Sequence, residues 1–231
     1  MKLKMKLTKT KPETHDTKTL TLESAERPDF KPGQFFIAEF TRPEKIPKRS
    51  YSASSSPTKK GVLEFTVKAV QGGIVSNLLN GAKPGEEFIV DGPYGHFFFD
   101  EKEMPQIVML GAGSGIAPFR SICRYIIDKK LKTKATLVYC SRTLEDIICH
   151  DELIEFSKKM KGLKLVISLS REEREGYHFG RIDDAMVKGI TAKNKGAFYF
   201  ICGPPQMVSG TEGMLLANGI AKERIKSEKY G

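Results

Sequence analysis

The first hundred residues alternate apolar and polar positions with a period of two. "KLKMKL" at residues 2–7 places Leu3, Met5 and Leu7 on one side and lysines on the other, the pattern of a half-buried strand. "TKTLTLES", "GQFFIAEF", "RSYSASS", "LEFTVKAV" and "EEFIVDG" repeat it. Between these runs stand "RPDFKPG", "TRPEKIPK", "SSPTKKG" and "AKPGE", where Pro and Gly supply the fixed or positive φ that a turn needs. Six short strands separated by turns predict an antiparallel barrel or sandwich. Only "IVSNLLNGA", from Ile74, reads as a helix in this half.

After about residue 104 the rhythm changes. "QIVMLG" precedes "APFRSICRYIIDKK", "ATLVYCS" precedes "HDELIEFSKKM", "LKLVISLS" precedes "DDAMVKGI", and "AFYFICG" precedes "PPQMVSGTEGMLLANG". Continuous apolar runs alternating with amphipathic stretches predict βαβ units on a parallel sheet. The chain therefore divides near "GHFFFDEKEMPQ" into a β domain, residues 1–103, and an α/β domain, residues 104–231.

Composition narrows the class. The formal net charge is +10. The first hundred residues contribute 16 basic and 12 acidic groups and the remainder 22 and 16, so the excess of +4 and then +6 is spread along the chain. It fits either a solvated lysine-rich surface or a face that attracts an acidic protein or a phosphate-bearing ligand. Helix-turn-helix, zinc-finger and aromatic-basic RNA signatures are absent, so nucleic acid is not an expected partner. The four cysteines, at 123, 140, 149 and 202, form no CxxC and no close cluster, which argues against zinc and a cysteine-ligated iron–sulfur centre and fits a reducing compartment. No apolar segment approaches the ~18 residues of a membrane span, and no signal-peptide h-region follows the basic start. A cytoplasmic protein without membrane insertion is expected.

Several stretches carry candidate chemistry. "MLGAGSGIAPF" leaves the first strand of the α/β half with Gly111, Gly113 and Gly115, and Pro118 follows. Such a loop lets backbone N–H groups approach an anion at a helix N-terminus. Pro in the first helical turn sacrifices no hydrogen bond. The spacing departs from the usual G-x-G-x-x-G, which leaves an ordinary tight turn or another nucleotide-binding loop.

The second strand ends "YCSRT" with Arg142, where an NAD-selecting Rossmann unit would present an acid to the ribose. The third ends "SLSREER", with Ser170, Arg171 and Arg174. Hydroxyl and guanidinium groups suit a 2′-phosphate, although each arginine could equally be a solvated loop charge. "FICGPPQM" ends a strand in Cys202, Gly203 and Pro204. Gly203 would admit a planar ring, and Cys202 alone would be an ordinary core thiol. In "RSYSASSSP", Arg49 and Tyr51 share one face of a strand and Ser52 points the other way. That set could stack a flat heterocycle and neutralise a phosphate, or form a sheet edge with a surface tyrosine. "GGIVSNLL" offers Gly73, Val75 and Ser76 at a helix start as a second anion cradle.

Taken in this order, the motifs resemble those of the ferredoxin–NADP reductase superfamily. Its R-x-Y-S/T motif matches Arg49, Tyr51 and Ser52, and its G-x-x-S/T motif matches Gly73 to Ser76. "DGPYGHF" resembles the G-P-x-G that closes its barrel, "GAGSGIAP" its nicotinamide-nucleotide loop, and "CGPP" its nicotinamide-proximal loop. "IKSEKYG" is similar to its acid-and-aromatic terminus, with Glu228 and Tyr230 in the matching places.

The resemblance implies a six-stranded antiparallel FAD barrel followed by a five-stranded parallel NAD(P) sheet. It also implies hydride transfer between a nicotinamide nucleotide and the flavin. Arg49, Gly73, Val75 and Ser76 would hold the FAD pyrophosphate, and Tyr51 and Tyr230 would cover the two flavin faces. Ser52, Cys202, Glu228 and Tyr230 would be the polar and aromatic neighbours of the reacting atoms. Gly111, Gly113, Gly115, Pro118, Arg142, Ser170, Arg171, Tyr177, Gly203 and Pro204 would receive the nucleotide.

The "SREER" stretch resembles the Ser-Arg pair of NADPH-using members and favours NADPH over NADH. The short span between Ser76 and Gly92 leaves FMN open beside FAD. The C-x4-C-x2-C spacing of a plant-type two-iron two-sulfur domain is missing, so a reductase without that domain is expected. The positive charge favours an acidic electron-transfer partner such as ferredoxin or flavodoxin. Alternatives are a reductase component of a multi-subunit oxygenase or redox complex, a free-flavin reductase, or a flavin- and nucleotide-binding module without turnover.

Overall fold

The computed structural model describes residues 1–41 and 46–230. Part of the turn segment "TRPEKIPK", residues 42–45, lies outside the described residues. The chain forms two compact units. One comprises residues 1–98 and 117–128, the other residues 99–116 and everything from 129 onward.

Among the described residues the first unit carries six strands: β1 (Lys2–Thr14), β2 (Thr17–Glu23), β3 (Phe35–Phe40), β4 (Arg49–Ser52), β5 (Val62–Lys68) and β6 (Glu87–Tyr94). All pair antiparallel, in the order β4-β3-β6-β1-β2-β5. A bridge between Ala53 and Phe65 joins the chain just beyond β4 to β5. Ser54 N–H donates to the Glu64 carbonyl at 2.8 Å beside it. The two edge strands are therefore linked at that point, where the sheet curls round on itself. The alternation places Leu3, Met5 and Leu7 at 0–1% exposure. They pack with Leu20, Phe36, Phe65, Phe88 and Val90 in one core, each such burial contributing about 1.5–3 kcal/mol. Helix α1 (Ile74–Gly81) adds Val75 and Leu79 to that core.

In the second unit β7 (Gln106–Ala112), β8 (Lys134–Ser141), β9 (Leu163–Leu169), β10 (His178–Phe179), β11 (Phe198–Gly203) and β12 (Ile225–Lys229) form a parallel sheet in the order β10-β9-β8-β7-β11-β12. Helices α3 (His150–Lys159), α4 (Asp184–Lys193) and α5 (Pro205–Ala217) alternate with these strands. The resemblance implied five strands, and the structure has six. The extra one is β10, whose two residues pair with Ser168 and Leu169 at the sheet edge, too short to leave a periodic signal.

Helix α2 (Ile116–Asp128) follows β7, yet residues 117–128 group with the barrel. Its polar side chains account for this. Ser121 Oγ donates to the Ser55 carbonyl at 2.7 Å, and Arg124 donates to Glu64 and to the Ser54 carbonyl. Arg120, only 2% exposed, donates to Thr19 Oγ1 at 2.9 Å and to Thr66 Oγ1. Thr19 Oγ1 also donates to Glu13 Oε1 at 2.7 Å. The buried guanidinium thus sits one hydroxyl away from a carboxylate whose side chain is itself almost wholly covered, the compensation a buried charge requires.

Candidate active site

On the barrel, β4 presents the three residues of the Arg-x-Tyr-Ser motif. Arg49 is exposed, Tyr51 half-buried and Ser52 buried, as two-residue periodicity demands with one face turned inward. Tyr51 stands opposite Phe36 on β3, and its ring centroid lies 5.8 Å from that of Phe65. Burial pushes its phenol up to about 12, and the Arg49 charge opposes this without cancelling it. The tyrosine is therefore a neutral, fixed aromatic surface at neutral pH. Three residues on, the buried Ser54 Oγ has no hydrogen-bond partner among the described residues.

The Gly73–Ser76 segment opens α1, with Gly73 as its N-cap. Val75 is buried in the core, so only its backbone could face a ligand. Ser76 Oγ accepts from Val70 N–H at 3.3 Å, and a Cβ on Gly73 would lie 2.6 Å from that oxygen.

On the second unit, β7 runs into a single 3-10 turn, Gly113–Gly115, before α2 begins. Gly111 is the penultimate residue of β7, level with Tyr139 on β8 and Cys202 on β11. Gly113 has φ +55°, and the buried Tyr139 hydroxyl donates to its carbonyl at 3.0 Å. Gly115 is required by space. A Cβ there would lie 2.2 Å from the Cys202 carbonyl oxygen and 2.8 Å from Gly203 N. Gly203 has φ +150°, and its Cβ would meet Ala112 O at 2.9 Å. The glycine loop and the Cys-Gly-Pro segment are thus pressed backbone to backbone, which larger residues would prevent. Pro118 is the third residue of α2, where no intrahelical N–H bond is lost. Pro204 caps α5 with φ −56°.

Strand β12 adds the terminal residues. Cys202 and Glu228 are register partners across β11 and β12, and Tyr230 N–H donates to the Gly203 carbonyl at 2.9 Å. Cys202 is fully buried. Burial pushes its thiol well above the ordinary range and the Glu228 charge adds to this, while a hydrogen bond with the Tyr230 side chain pulls the other way. At neutral pH it is a thiol, not a thiolate.

At the ends of β8 and β9 the arginine-bearing loops are joined. Ser170 N–H and Oγ both donate to the Ser141 carbonyl, at 3.0 and 3.2 Å, and Arg171 N–H donates to the Arg142 carbonyl at 2.9 Å. Arg142 and Arg171 are both exposed. Arg174 pairs instead with Glu172 at 3.2 Å. Tyr177 Oη lies 2.8 Å from His150 Nε2, with the rings tilted and 6.0 Å apart.

The structure therefore assembles three groups. They are the β4 motif; the glycine loop with Cys202, Gly203, Glu228 and Tyr230; and Arg142 with Ser170 and Arg171. Sequence reasoning assigned no role to His150 and passed over Glu172. No periodicity marks a contact such as His150 with Tyr177, made across 27 residues. Among the described residues no group of His, Cys, Asp and Glu could hold a metal ion, and no helix is long and apolar enough to cross a membrane.

The comparisons agree with this architecture. An oxidoreductase FAD-binding domain model matches residues 4–99 and an oxidoreductase NAD-binding domain model matches residues 109–213. The reductase component of propane 2-monooxygenase from Mycolicibacterium goodii is 32% identical over 95% of this chain, and the chain spans 65% of its length. The glycine betaine monooxygenase reductase subunit of Pseudomonas aeruginosa (strain UCBPP-PA14) is 32% identical over 87% of this chain, which spans 56% of that protein. The chain thus spans less than two thirds of these relatives. A crystal structure of a ferredoxin NADP+ reductase from Neisseria gonorrhoeae with bound FAD and NADP superposes with a TM-score of 0.85 at 25% identity, covering 99% of this chain and 98% of the other. The chain belongs to the ferredoxin–NADP reductase superfamily of flavin-dependent oxidoreductases.

Proposed function

We propose that the protein is a reductase that takes hydride from NADPH onto FAD and passes electrons singly to a partner protein. The observation that carries this reading is the contact of Gly115 with the Cys202–Gly203 backbone, with Glu228 in register beside Cys202. It gathers the glycine loop, a protonated thiol and a carboxylate at adjoining strand ends, where parallel sheets bind ligands. A bound flavin supplies the conversion between two-electron and one-electron chemistry.

The residues present fit both ligands. Tyr51 offers a neutral ring face, Arg49 a solvent-facing cation, and Ser54 Oγ a buried hydroxyl left over by the polypeptide. Gly73, Val75 and Ser76 offer the backbone of a helix start. Nothing lies within 4 Å of where a Cβ on Gly113 would stand, so a phosphate can approach that backbone. Cys202 and Glu228 would hold polar contacts at the nicotinamide, and Tyr230 would cover a flavin face. Arg142, Ser170 and Arg171 would receive a 2′-phosphate, with Tyr177 against the adenosine.

Two of the relatives are named as reductase components of monooxygenases. This favours an oxygenase-system partner over a free carrier. A net charge of +10 suits an acidic docking face on that partner.

Stopped-flow reduction of the flavin-loaded protein by NADPH and by NADH tests the reading. NADPH is expected to be the faster reductant at limiting concentration. Arg171→Ala is expected to lower that preference by about ten- to a hundred-fold, the value of a charge-assisted hydrogen-bond pair. Failure of both nucleotides to bleach the flavin would remove the enzyme reading in favour of a binding module.

A further inference from the structure

The loop that follows β9 is a weak phosphate site by composition. Residues 170–175 read Ser-Arg-Glu-Glu-Arg-Glu, two cations against three carboxylates. Bulk charge here opposes a phosphate, so any preference for one must come from where individual charges are placed. The placement is specific. Glu172 does not face outward with Glu173 and Glu175. Its carboxylate accepts the Leu144 N–H from the loop after β8 at 2.7 Å and takes the Arg174 guanidinium at 3.2 Å. Those two contacts, the Leu144 hydrogen bond foremost, hold its carboxyl below the usual carboxylate range. Arg142 and Arg171, one on each loop, have no acidic partner among the described residues.

We infer that Glu172 is a positioning residue for nucleotide selectivity: it fastens the loop after β9 to the loop after β8, withdraws Arg174, and leaves Arg142 and Arg171 as the guanidinium pair presented to a 2′-phosphate. This rests on the nucleotide reading above. Three other hydrogen bonds bring the loops together at Ser141 and Arg142. The Leu144 bond lies beyond them, so without Glu172 the stretch between Arg142 and the far end held by Tyr177 and His150 loses its tie. Arg174 accordingly is not a nucleotide ligand.

A charge role and a placement role predict opposite results. Were Glu172 simply a carboxylate near a phosphate, both Glu172→Ala and Glu172→Gln would raise the preference for NADP+. A placement role requires an acceptor for Leu144 N–H, which glutamine retains and alanine does not.

The experiment is calorimetric titration of the flavin-loaded protein with NADP+ and with NAD+. It uses wild type, both Glu172 variants, Arg174→Ala and Arg171→Ala, with thermal midpoints recorded to show that each is folded. Glu172→Ala is expected to lose about ten-fold in the NADP+/NAD+ affinity ratio, the value of one hydrogen bond to a charged group. Glu172→Gln and Arg174→Ala should stay within about three-fold of wild type by the same scale. Equal gains in both Glu172 variants, or a loss in Arg174→Ala as large as in Arg171→Ala, would overturn the inference. A wild type with no preference for NADP+, unaltered by Arg171→Ala, would instead remove the nucleotide reading beneath it.

Discussion

Gly115→Ala is expected to abolish flavin reduction by nicotinamide nucleotides while leaving bound flavin in place. The added Cβ would stand 2.2 Å from the Cys202 carbonyl oxygen and 2.4 Å from its carbon, and both are backbone atoms of a fully buried residue. Neither can rotate away, so the 3-10 turn or the end of β11 must move. Forced overpacking of this kind costs about 1–3 kcal/mol. The functional loss should be larger than the stability loss, because displacement of about 1 Å at a reacting centre can cost a hundred-fold in rate. Gly210→Ala is the control. It lies in α5 with nothing within 4 Å of the new methyl, and should be neutral or stabilising by up to about 1 kcal/mol. Single-turnover reduction and urea unfolding of both variants check this. Gly115→Ala reducing at the wild-type rate would mean that the loop and the Cys-Gly-Pro segment do not form one site.

The second large effect concerns the buried arginine of α2. Arg120→Ala removes a guanidinium shared by Thr19 and Thr66 and opens a cavity between the helix and strands β2 and β5. It also takes from Thr19 the donor that balances its bond to the covered carboxylate of Glu13, which keeps only its ion pair with Lys11 at 3.0 Å. Breaking such a buried arrangement costs about 3–5 kcal/mol. Thr66→Val, which deletes only one acceptor, should cost about 1–3 kcal/mol. The two should be markedly non-additive, since they share one network. Chemical denaturation of the two single variants and the double variant measures the coupling. Simple additivity would show that the arginine is held by something other than these hydroxyls.

These sites differ in how far the sequence announces them. The barrel strands are legible because Leu3, Met5, Leu7 and their counterparts repeat every second residue. The parallel strands are legible because they are apolar throughout. β1 extends to Thr14, beyond what the alternation suggests, because "KTKPET" is held by pairing with β2 and not by burial. β12 carries only one buried side chain, Ile225, so nothing hydrophobic distinguishes it from a loop. Its motif residues, Glu228 and Tyr230, were visible as chemistry and not as a strand. The glycine loop was legible as an anion cradle. Its contact with Cys202 depends on β7 and β11 being neighbours in the sheet, a relation between segments some ninety residues apart. Arg120 was invisible, since an arginine in an amphipathic helix reads as solvated until its partners are known.

That helix separates two meanings of the word module. The FAD-binding family model ends at residue 99, whereas the compact barrel unit takes up 117–128 as well. A fragment cut where the recognisable domain stops would keep every strand of the barrel. It would lose the donors to the Ser54 and Ser55 carbonyls, to Glu64 and to Thr66, and would bare the Phe97 ring that pairs with Phe119. Residues 1–103 expressed alone should therefore bind a dye for exposed apolar surface and unfold below the intact protein, and adding a peptide of residues 116–128 should reverse part of both. The piece that can be inherited as a cassette is shorter than the piece that can stand alone.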